Sequence, residues 1–427
     1  MAAFTAYRPR VLDAELNELM GDLAAIGIEG AKGVGKTATA SQRAETIYRL
    51  DDPDQRVIAE ADLDRLMKAP APILIDEWQY IPPIWDRVRR SVDDGAEAGR
   101  FLLTGSASPR DTGTHSGGGR IVSLRMRPMS LAERLSTPAT VSLTELLTGS
   151  QPAIGGQTET RLQDYTEEIV ASGFPGIRTL SGRARRAQLD GYLRRVVDRD
   201  FVELGQNVRN PVALRSWMAA YAAASSTSTT FEKIRDASTS GYADKPARST
   251  IMPYRDVLER LFILDPVPGW RPTKNRIAEL AEPPKHQLVD PALAARLVGA
   301  TAAGLLNGHS TGPVLQRDGT LLGALFESLV TQSVRVYAQA GEATVAHLRT
   351  FRGHHEVDLI VERADGRVVA IEVKLGSTPV VNSVRHLEWL KQQLGDELLD
   401  SIIITTGPEA YRRPDGIAVV PAALLGP

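Results

Sequence analysis

The sequence predicts an α/β protein whose first domain is built on a parallel sheet. The first observation is the stretch Gly30–Thr37, GAKGVGKT, which matches the pattern G-x-x-x-x-G-K-[S/T]. The second is the mostly apolar run before it, LAAIGIEG from Leu23, which is typical of a buried strand. The third is the segment after it, TATASQRAETIYRL, which lacks Gly and Pro and is predicted to be helical. Strand, glycine-rich loop and helix in this order are what phosphate binding requires.

The glycine-rich loop is therefore predicted to be a P-loop that binds ATP. Its glycines allow a tight turn that points backbone N–H groups at the phosphates, and the helix that follows adds its positive N-terminal end. Lys36 is expected to reach the β- and γ-phosphates, and the Thr37 hydroxyl to hold Mg²⁺. The alternative is a glycine-rich turn that matches the P-loop pattern by chance. The predicted ATP-binding residues are Gly30, Ala31, Lys32, Gly33, Val34, Gly35, Lys36, Thr37 and Ala38.

A second informative stretch is ILIDE, Ile73–Glu77, an apolar run that ends in two acids. A buried parallel strand has this continuous apolar pattern, and ligands bind at the carboxyl ends of such strands. Asp76 is therefore predicted to hold Mg²⁺, and Glu77 to be the base that orients or activates the attacking water. The alternative is a strand that ends in two solvated acids.

The run FLLTGSAS from residue 101 predicts a third buried strand, which ends in hydroxyl side chains. Thr104 or Ser106 is a candidate to hydrogen-bond the γ-phosphate or the attacking water, although a simple strand-to-loop turn has the same composition. The next strand, RIVSLRMR, carries Arg120, Arg125 and Arg127. One of them, with Arg120 as the catalytic candidate, is interpreted as an arginine finger; the alternative is solvated arginines on a half-exposed strand.

Composition limits the class of protein. A chain of 427 residues predicts two or three domains, and we place them at 1–145, 146–275 and 276–427. The net charge of −2 excludes a protein that is basic overall, so DNA is expected to be bound only through a local basic patch. The absence of Cys, of a signal peptide and of an apolar run of about 18 residues predicts a cytoplasmic protein with no membrane partner.

The middle of the chain predicts a helical lid with a winged-helix pattern. Three helical runs, ALRSWMAAYAAAS, TTFEKIRDAS and STIMPYRDVLERL, precede the strand-like FILDPVPGW. In a DNA-reading winged helix the contacts would come from Lys245, Arg248 and Arg255. The alternative is a purely structural lid on the ATPase.

The C-terminal part predicts a second chemical centre. Its pattern α-β-β-β-α-β is that of the restriction-endonuclease-like core, and alternation places Glu356 with Asp358, and Glu372 with Lys374, on shared faces of otherwise apolar strands. Asp358 and Glu372 are predicted to hold Mg²⁺ or Mn²⁺, with Glu327 completing the ligands from a helix and Lys374 activating the nucleophile. The alternative is a salt-bridge cluster in a fold that has lost activity.

The ordered motifs resemble a family of prokaryotic AAA-type ATPases, often called archaeal-type ATPases, with a C-terminal domain of unknown function. The matching pieces are YRPRVLD, GAKGVGKT, LIDEWQ, LLTGSAS, GRIVSLRMRPMSLAE, SGFPG, YLRRVVDRD, YRDVLERLFIL, KHQLVDPAL, LFESLV, EVDLIVE and AIEVK. The resemblance implies an ATPase domain, a winged-helix middle and an endonuclease-like end, and supports the nucleotide and metal residues named above. The sequence departs from the family at the GGG before Arg120.

The expected function is Mg²⁺-dependent ATP binding and hydrolysis, coupled to a nuclease-like domain that binds or cleaves DNA. The alternative is a non-catalytic nucleotide-dependent switch that binds DNA or protein, with a degenerate nuclease domain and a toxin or defence role. A homo-oligomer is compatible with either.

Overall fold

The computed structural model describes residues 7–107, 118–206, 208, 210–239, 248–270, 283–308, 320–350, 354–377 and 381–427, with backbone only at 248–251 and 381–383. The chain separates into two compact units. Unit 1 comprises residues 1–128 with 258–262, and unit 2 comprises 129–257 with 263–427. The division into three domains at 145 and 275 stays a prediction.

Unit 1 alternates helices and strands. Its helices are α1 (Leu12–Met20), α2 (Lys36–Ser41), α3 (Pro53–Ala61), α4 (Leu63–Met67) and α5 (Pro83–Asp93). Its strands are β1 (Ala25–Glu29), β2 (Thr46–Arg49), β3 (Ile73–Asp76), β4 (Phe101–Gly105) and β5 (Val122–Arg125).

The strands of unit 1 form a five-stranded sheet in the order β2-β3-β4-β1-β5, in which each neighbouring pair is parallel. The interior strands β1, β3 and β4 are almost completely buried, as their continuous apolar runs predict for a sheet covered on both faces. Because all strands run the same way, the loops after β1, β3 and β4 come together at one edge. The sequence prediction of a parallel α/β sheet is confirmed.

One predicted element is wrong. The helix after the glycine-rich loop ends at Ser41, and Thr46–Arg49, which we expected to be its last turn, is the edge strand β2. The segment TIYR is β-branched and aromatic, and it pairs in parallel with β3 through Ile47 opposite Leu74. All four residues of β2 keep part of their surface exposed, so the strand lacks the continuous apolar run that identified its neighbours.

Unit 2 has a larger set of helices. They are α6 (Leu131–Arg134), α7 (Leu143–Leu147), α8 (Leu162–Ala171), α9 (Pro175–Arg178), α10 (Gly182–Arg195), α11 (Phe201–Glu203), α12 (Pro211–Ala223), α13 (Phe231–Ser238), α14 (Arg248–Arg260, whose last residues belong to unit 1), α15 (Pro291–Leu297), α16 (Ala302–Leu306), α17 (Leu321–Ala340) and α18 (Val381–Leu394). A π-helical turn, Val196–Asp200, joins α10 to α11.

The strands of unit 2 form one large sheet and one small one. They are β6 (Val141–Ser142), β7 (Gly269–Trp270), β8 (Thr344–Arg349), β9 (Glu356–Glu362), β10 (Val368–Val373), β11 (Leu398–Thr405), β12 (Tyr411–Arg412), β13 (Ala418–Pro421) and β14 (Leu425–Gly426). The large sheet has the order β12-β13-β11-β10-β9-β8-β7, and β6 pairs separately with β14. Strands β8, β9 and β10 are antiparallel neighbours, whereas β10, β11 and β13 are parallel.

The predicted order of C-terminal elements is observed as α17, β8, β9, β10, α18 and β11. The restriction-endonuclease-like classification of this arrangement stays a prediction. The same holds for the winged helix: α12, α13 and α14 are present, and the chain after them forms isolated antiparallel bridges, Leu264 with Leu288 and Val267 with Lys285. Within the ranges that the structure describes, every helix is too short or too polar to cross a membrane.

The segment 285–290 is buried within unit 2. His286 donates its backbone N–H to Thr227 O (2.9 Å) and accepts from Ser226 N–H (2.8 Å). Asp290 caps α15 through Ala292 N–H (2.7 Å) and also accepts from Gly173 N–H (2.6 Å). This buried segment therefore contacts the chain that follows α12 and the chain that follows α8.

Candidate functional site

The glycine-rich loop of unit 1 has the backbone that its sequence requires. Gly33 (φ 85°) and Gly35 (φ 108°) lie in the left-handed region that glycine adopts without strain. At Gly30 a side chain has no room, because a Cβ there would lie 2.2 Å from Met126 O. The loop leads directly into α2, so the first N–H groups of that helix border it.

Lys36 is the buried cation of this loop. Its Nζ donates to Gly30 O (2.9 Å) and Ala31 O (3.1 Å), so the side chain folds back over the turn. Burial lowers the pKa of Lys36 to about 8, although the nearby carboxylates of Glu77 and Asp76 oppose this shift. An ammonium this poorly solvated gains strongly from an added anion such as a phosphate.

Asp76 lies at the carboxyl end of β3, opposite the loop. Its Oδ1 accepts a hydrogen bond from Thr37 Oγ1 (2.7 Å) and a second, short one from Thr104 Oγ1. Burial raises the pKa of Asp76, while both hydroxyl donors act to lower it. The structure thus brings together three of the predicted residues from three elements, α2, β3 and β4.

Glu77 follows Asp76 in a strained conformation. Its φ of 55° and ψ of 49° are left-handed, which is uncommon for a residue with a side chain. Its backbone N–H donates to Thr104 Oγ1 (3.1 Å), and its carboxylate accepts from Ser106 Oγ (2.7 Å) and from Gln79 Nε2. Gln79 was not predicted from the sequence, because its position two residues after the acid carries no distinguishing pattern.

Two of the three predicted arginines, Arg120 and Arg125, lie in different places. Arg120 precedes the amino end of β5, is exposed, and pairs with Asp93 (2.8 Å) at the end of α5. It therefore lies on the edge of the sheet opposite to the glycine-rich loop and does not face it. Arg125, at the carboxyl end of β5, stacks on the ring of Phe262 (3.7 Å) and is close enough to Lys36 to help lower its pKa. Arg120 and Arg125 thus lie at opposite ends of β5, and their spacing in the sequence does not show which of them is near the glycine-rich loop.

The residues of this site fit a magnesium nucleotide. A hydroxyl and a carboxylate, from Thr37 and Asp76, lie within 2.7 Å of each other beside the loop, and oxygen atoms are the ligands that Mg²⁺ prefers. Lys36 supplies the positive charge for the phosphates.

The acids of the C-terminal sheet form a second cluster, which we call the acid cluster: Glu327 of α17, Glu356 and Asp358 of β9, and Glu372 of β10. Lys374 lies 2.7 Å from Glu372 and 3.5 Å from Asp358, as the predicted shared face requires. The cluster also contains Lys285, which was not predicted from the sequence.

Lys285 Nζ lies at the middle of the acid cluster. It donates to Asp358 Oδ1 (2.8 Å) and Glu327 Oε1 (2.9 Å), and lies 3.5 Å from Glu356 Oε1. Burial acts to lower the pKa of Lys285, but the surrounding carboxylates outweigh it and raise the pKa well above its usual range. Burial likewise disfavours ionised Asp358, yet Lys285 and Lys374 together hold its pKa well below normal.

These contacts do not fit the predicted divalent metal site. Glu327 and Asp358 both already bind the ammonium of Lys285, which lies between them. Among the described residues, no group of three or more acids and histidines is arranged to hold a metal ion. Glu372 instead pairs with Lys374. A charge count could have suggested another cation, since four acids faced one known lysine, but it could not distinguish a lysine from a metal.

The acid cluster predicts a pH dependence of stability. Burial raises the pKa of Glu372 to about 8, whereas an unfolded glutamate titrates near 4.5. Between those values the folded state keeps a proton that the unfolded state releases, so this contribution is complete below about pH 4.5 and is lost as the pH rises towards 8. Wild type should lose stability relative to Glu372→Gln by up to about 1.4 kcal/mol per pH unit in this window.

Urea denaturation of both proteins at pH 5, 6.5 and 8 measures this difference. Parallel stability profiles for wild type and Glu372→Gln would contradict the assignment.

The predicted DNA contacts are only partly visible. Lys245 lies outside the described residues, and the side chain of Arg248 is not described. Arg255 stacks on the Phe231 ring at 4.9 Å. A basic DNA-binding patch stays a prediction.

The parallel sheet, the glycine-rich loop and the placement of Lys36, Thr37 and Asp76 define a P-loop domain of the ATPase class. Comparison with known families agrees: residues 23–135 match a family model described as an AAA domain. Residues 162–304 and 322–425 match models of two domains of unknown function, DUF8612 and DUF4143. Unit 1 therefore contains an AAA-type, ATPase-like domain.

Two curated relatives and one solved structure are similar to this chain over most of its length. The chain is 26% identical over 353 residues to uncharacterized proteins of Mycobacterium bovis and Mycobacterium tuberculosis, covering 82% of this chain and 68% of each relative. Among solved structures, it is similar to a Walker-type ATPase of Pyrococcus abyssi at 15% identity and a TM-score of 0.39, over 67% of this chain and 94% of that chain.

Proposed function

We propose that unit 1 binds MgATP and hydrolyses it. The observation that carries this proposal is the hydrogen bond between Thr37 Oγ1 and Asp76 Oδ1 (2.7 Å), beside the buried ammonium of Lys36. It places one hydroxyl, one carboxylate and one cation at the edge of the sheet where the glycine-rich loop ends. P-loop enzymes use these groups for the metal and the phosphates.

Each residue then has a separate task. Lys36 exchanges its two carbonyl acceptors for phosphate oxygens, and Thr37 and Asp76 would hold Mg²⁺, which when bound neutralises charge on the phosphates. Glu77 accepts a proton from the attacking water as general base. Thr104 positions both acids, since it bonds the Asp76 carboxylate and the Glu77 N–H.

Replacing Glu77 by Gln should separate binding from hydrolysis. The amide keeps the shape of the side chain but cannot take a proton, so turnover should fall by about 100-fold or more while ATP binding stays close to that of wild type. Phosphate release and calorimetric titration with ATP measure the two quantities. Ser91→Ala, on α5, is a matched control outside the site and should keep wild-type turnover. Equal turnover in wild type and Glu77→Gln would overturn the role of Glu77.

For unit 2 we propose a non-cleaving role, in which the protein acts as a nucleotide-dependent switch. The observation that favours a non-cleaving role is the position of Lys285 between Glu327 and Asp358. A nuclease of the predicted kind would need a metal ion at these carboxylates. Supercoiled plasmid incubated with the protein, Mn²⁺ and ATP should stay intact. Nicking by wild type that Asp358→Ala abolishes would favour the nuclease. DNA or protein as the partner, and a homo-oligomer, remain predictions.

A further inference from the structure

Lys285 provides the positive charge within the acid cluster. Its Nζ is bonded to carboxylates from two different elements, Glu327 of α17 and Asp358 of β9, at 2.9 and 2.8 Å. A third carboxylate, that of Glu356, lies 3.5 Å away. Three carboxylate oxygen atoms from one helix and one strand thus surround one positive charge.

This ammonium is held by the backbone as well as by its partners. Lys285 exchanges both backbone hydrogen bonds with Val267, each 2.9 Å long, and the next residue, His286, is bonded to Thr227 O (2.9 Å). Only 1% of Lys285 is exposed. The side chain is therefore shielded from water, and withdrawing it would leave buried charge without partners.

A divalent cation at the same carboxylates would also lie next to a fixed positive charge. That charge is the ammonium of Lys374, which lies 3.5 Å from Asp358 and 2.7 Å from Glu372, the fourth acid of the cluster. Both Asp358 oxygens already accept: Oδ1 from Lys285, and Oδ2 from the Val373 N–H at 2.9 Å. Binding a metal requires that these donors be given up.

We propose that Lys285 is the resident cation of the acid cluster and takes the place of a divalent metal ion. In the wild-type protein the cluster joins segment 285–290 to α17 and β9 and binds no Mg²⁺ or Mn²⁺. Removing the ammonium frees the carboxylates of Glu327, Glu356 and Asp358 to rearrange around a divalent ion. Lys285→Met is therefore expected to create a metal site that their present arrangement does not provide. This inference concerns unit 2 and does not depend on ATP hydrolysis by unit 1.

The test measures Mn²⁺ binding to the full chain in the absence of nucleotide. Binding is detected as a loss of the electron paramagnetic resonance signal of free Mn²⁺. Wild type and Asp358→Asn should bind Mn²⁺ equally weakly, with any weak binding at the glycine-rich loop common to both. Lys285→Met should gain one site at least tenfold tighter, and Lys285→Met/Asp358→Asn should lose it again. Lys374→Met is the matched control and should gain no site, because Lys285 is still present.

Two results would overturn the proposal. One is saturable Mn²⁺ binding by wild type that Asp358→Asn abolishes, which needs no change at Lys285 and so stands even if that variant does not fold. The other is a folded Lys285→Met that gains no site. Lys285→Met/Glu356→Gln has one fewer unpaired acid, keeps Glu327, Asp358 and Glu372, and is a second variant in which the site can be sought. It should also gain a Mn²⁺ site, weaker than that of Lys285→Met because one of the three carboxylates is lost.

Discussion

Lys36→Met is expected to lose ATP binding by about 100-fold or more, equivalent to roughly 3 kcal/mol, and turnover with it. In the structure Lys36 is 4% exposed, and its ammonium donates to the carbonyls of Gly30 and Ala31, which are weak partners for a full charge. Phosphate oxygens compensate that charge better, so binding energy is concentrated in this side chain. Methionine fills similar volume and keeps the loop packed, so the loss reports the charge.

Calorimetric titration with ATP and a phosphate-release assay measure the two effects. Lys68→Met is the matched control, since Lys68 is an exposed lysine of the same unit at the end of α4, and it should behave as wild type. If Lys36→Met binds ATP as tightly as Lys68→Met does, the glycine-rich loop is not the nucleotide site.

The sequence predicted the centre of unit 1 because its chemistry is local. Strands β1, β3 and β4 are continuous apolar runs, and Asp76 stands at the end of one of them, so its place at the carboxyl edge followed from strand direction. Strand β2 escaped detection because an edge strand that is partly exposed along its length has no apolar run to identify it. Its residues were therefore predicted to continue the preceding helix.

Long-range contacts set the limit in both units. Arg120 and Arg125 are five positions apart and equally plausible by composition, yet they lie at opposite ends of β5, and only a known strand orientation separates them. Lys285 lies 42 positions before Glu327 and 73 before Asp358. A pattern of alternating acids reveals that a cation is needed but not where in the chain it comes from. The sequence therefore predicted that these acids lie together, whereas Lys285 between Glu327 and Asp358 is visible only in the structure.

Lys285→Met is expected to destabilise unit 2 by about 3–5 kcal/mol, the cost of leaving buried charge without its partner. The change removes the ammonium bonded to Glu327 and Asp358 while it keeps an apolar stem of similar length in place. Lys374→Met should cost less, because Lys374 is 31% exposed and water can replace part of its charge. Adding Asp358→Asn to Lys285→Met should recover part of the loss, since it removes the acid left unpaired.

Hydrogen exchange of the β9 and β10 amides, compared with that of the β1 and β4 amides, measures the effect in unit 2 separately from unit 1. Unchanged protection of β9 and β10 in Lys285→Met would show that the ammonium carries little of the stability of this sheet.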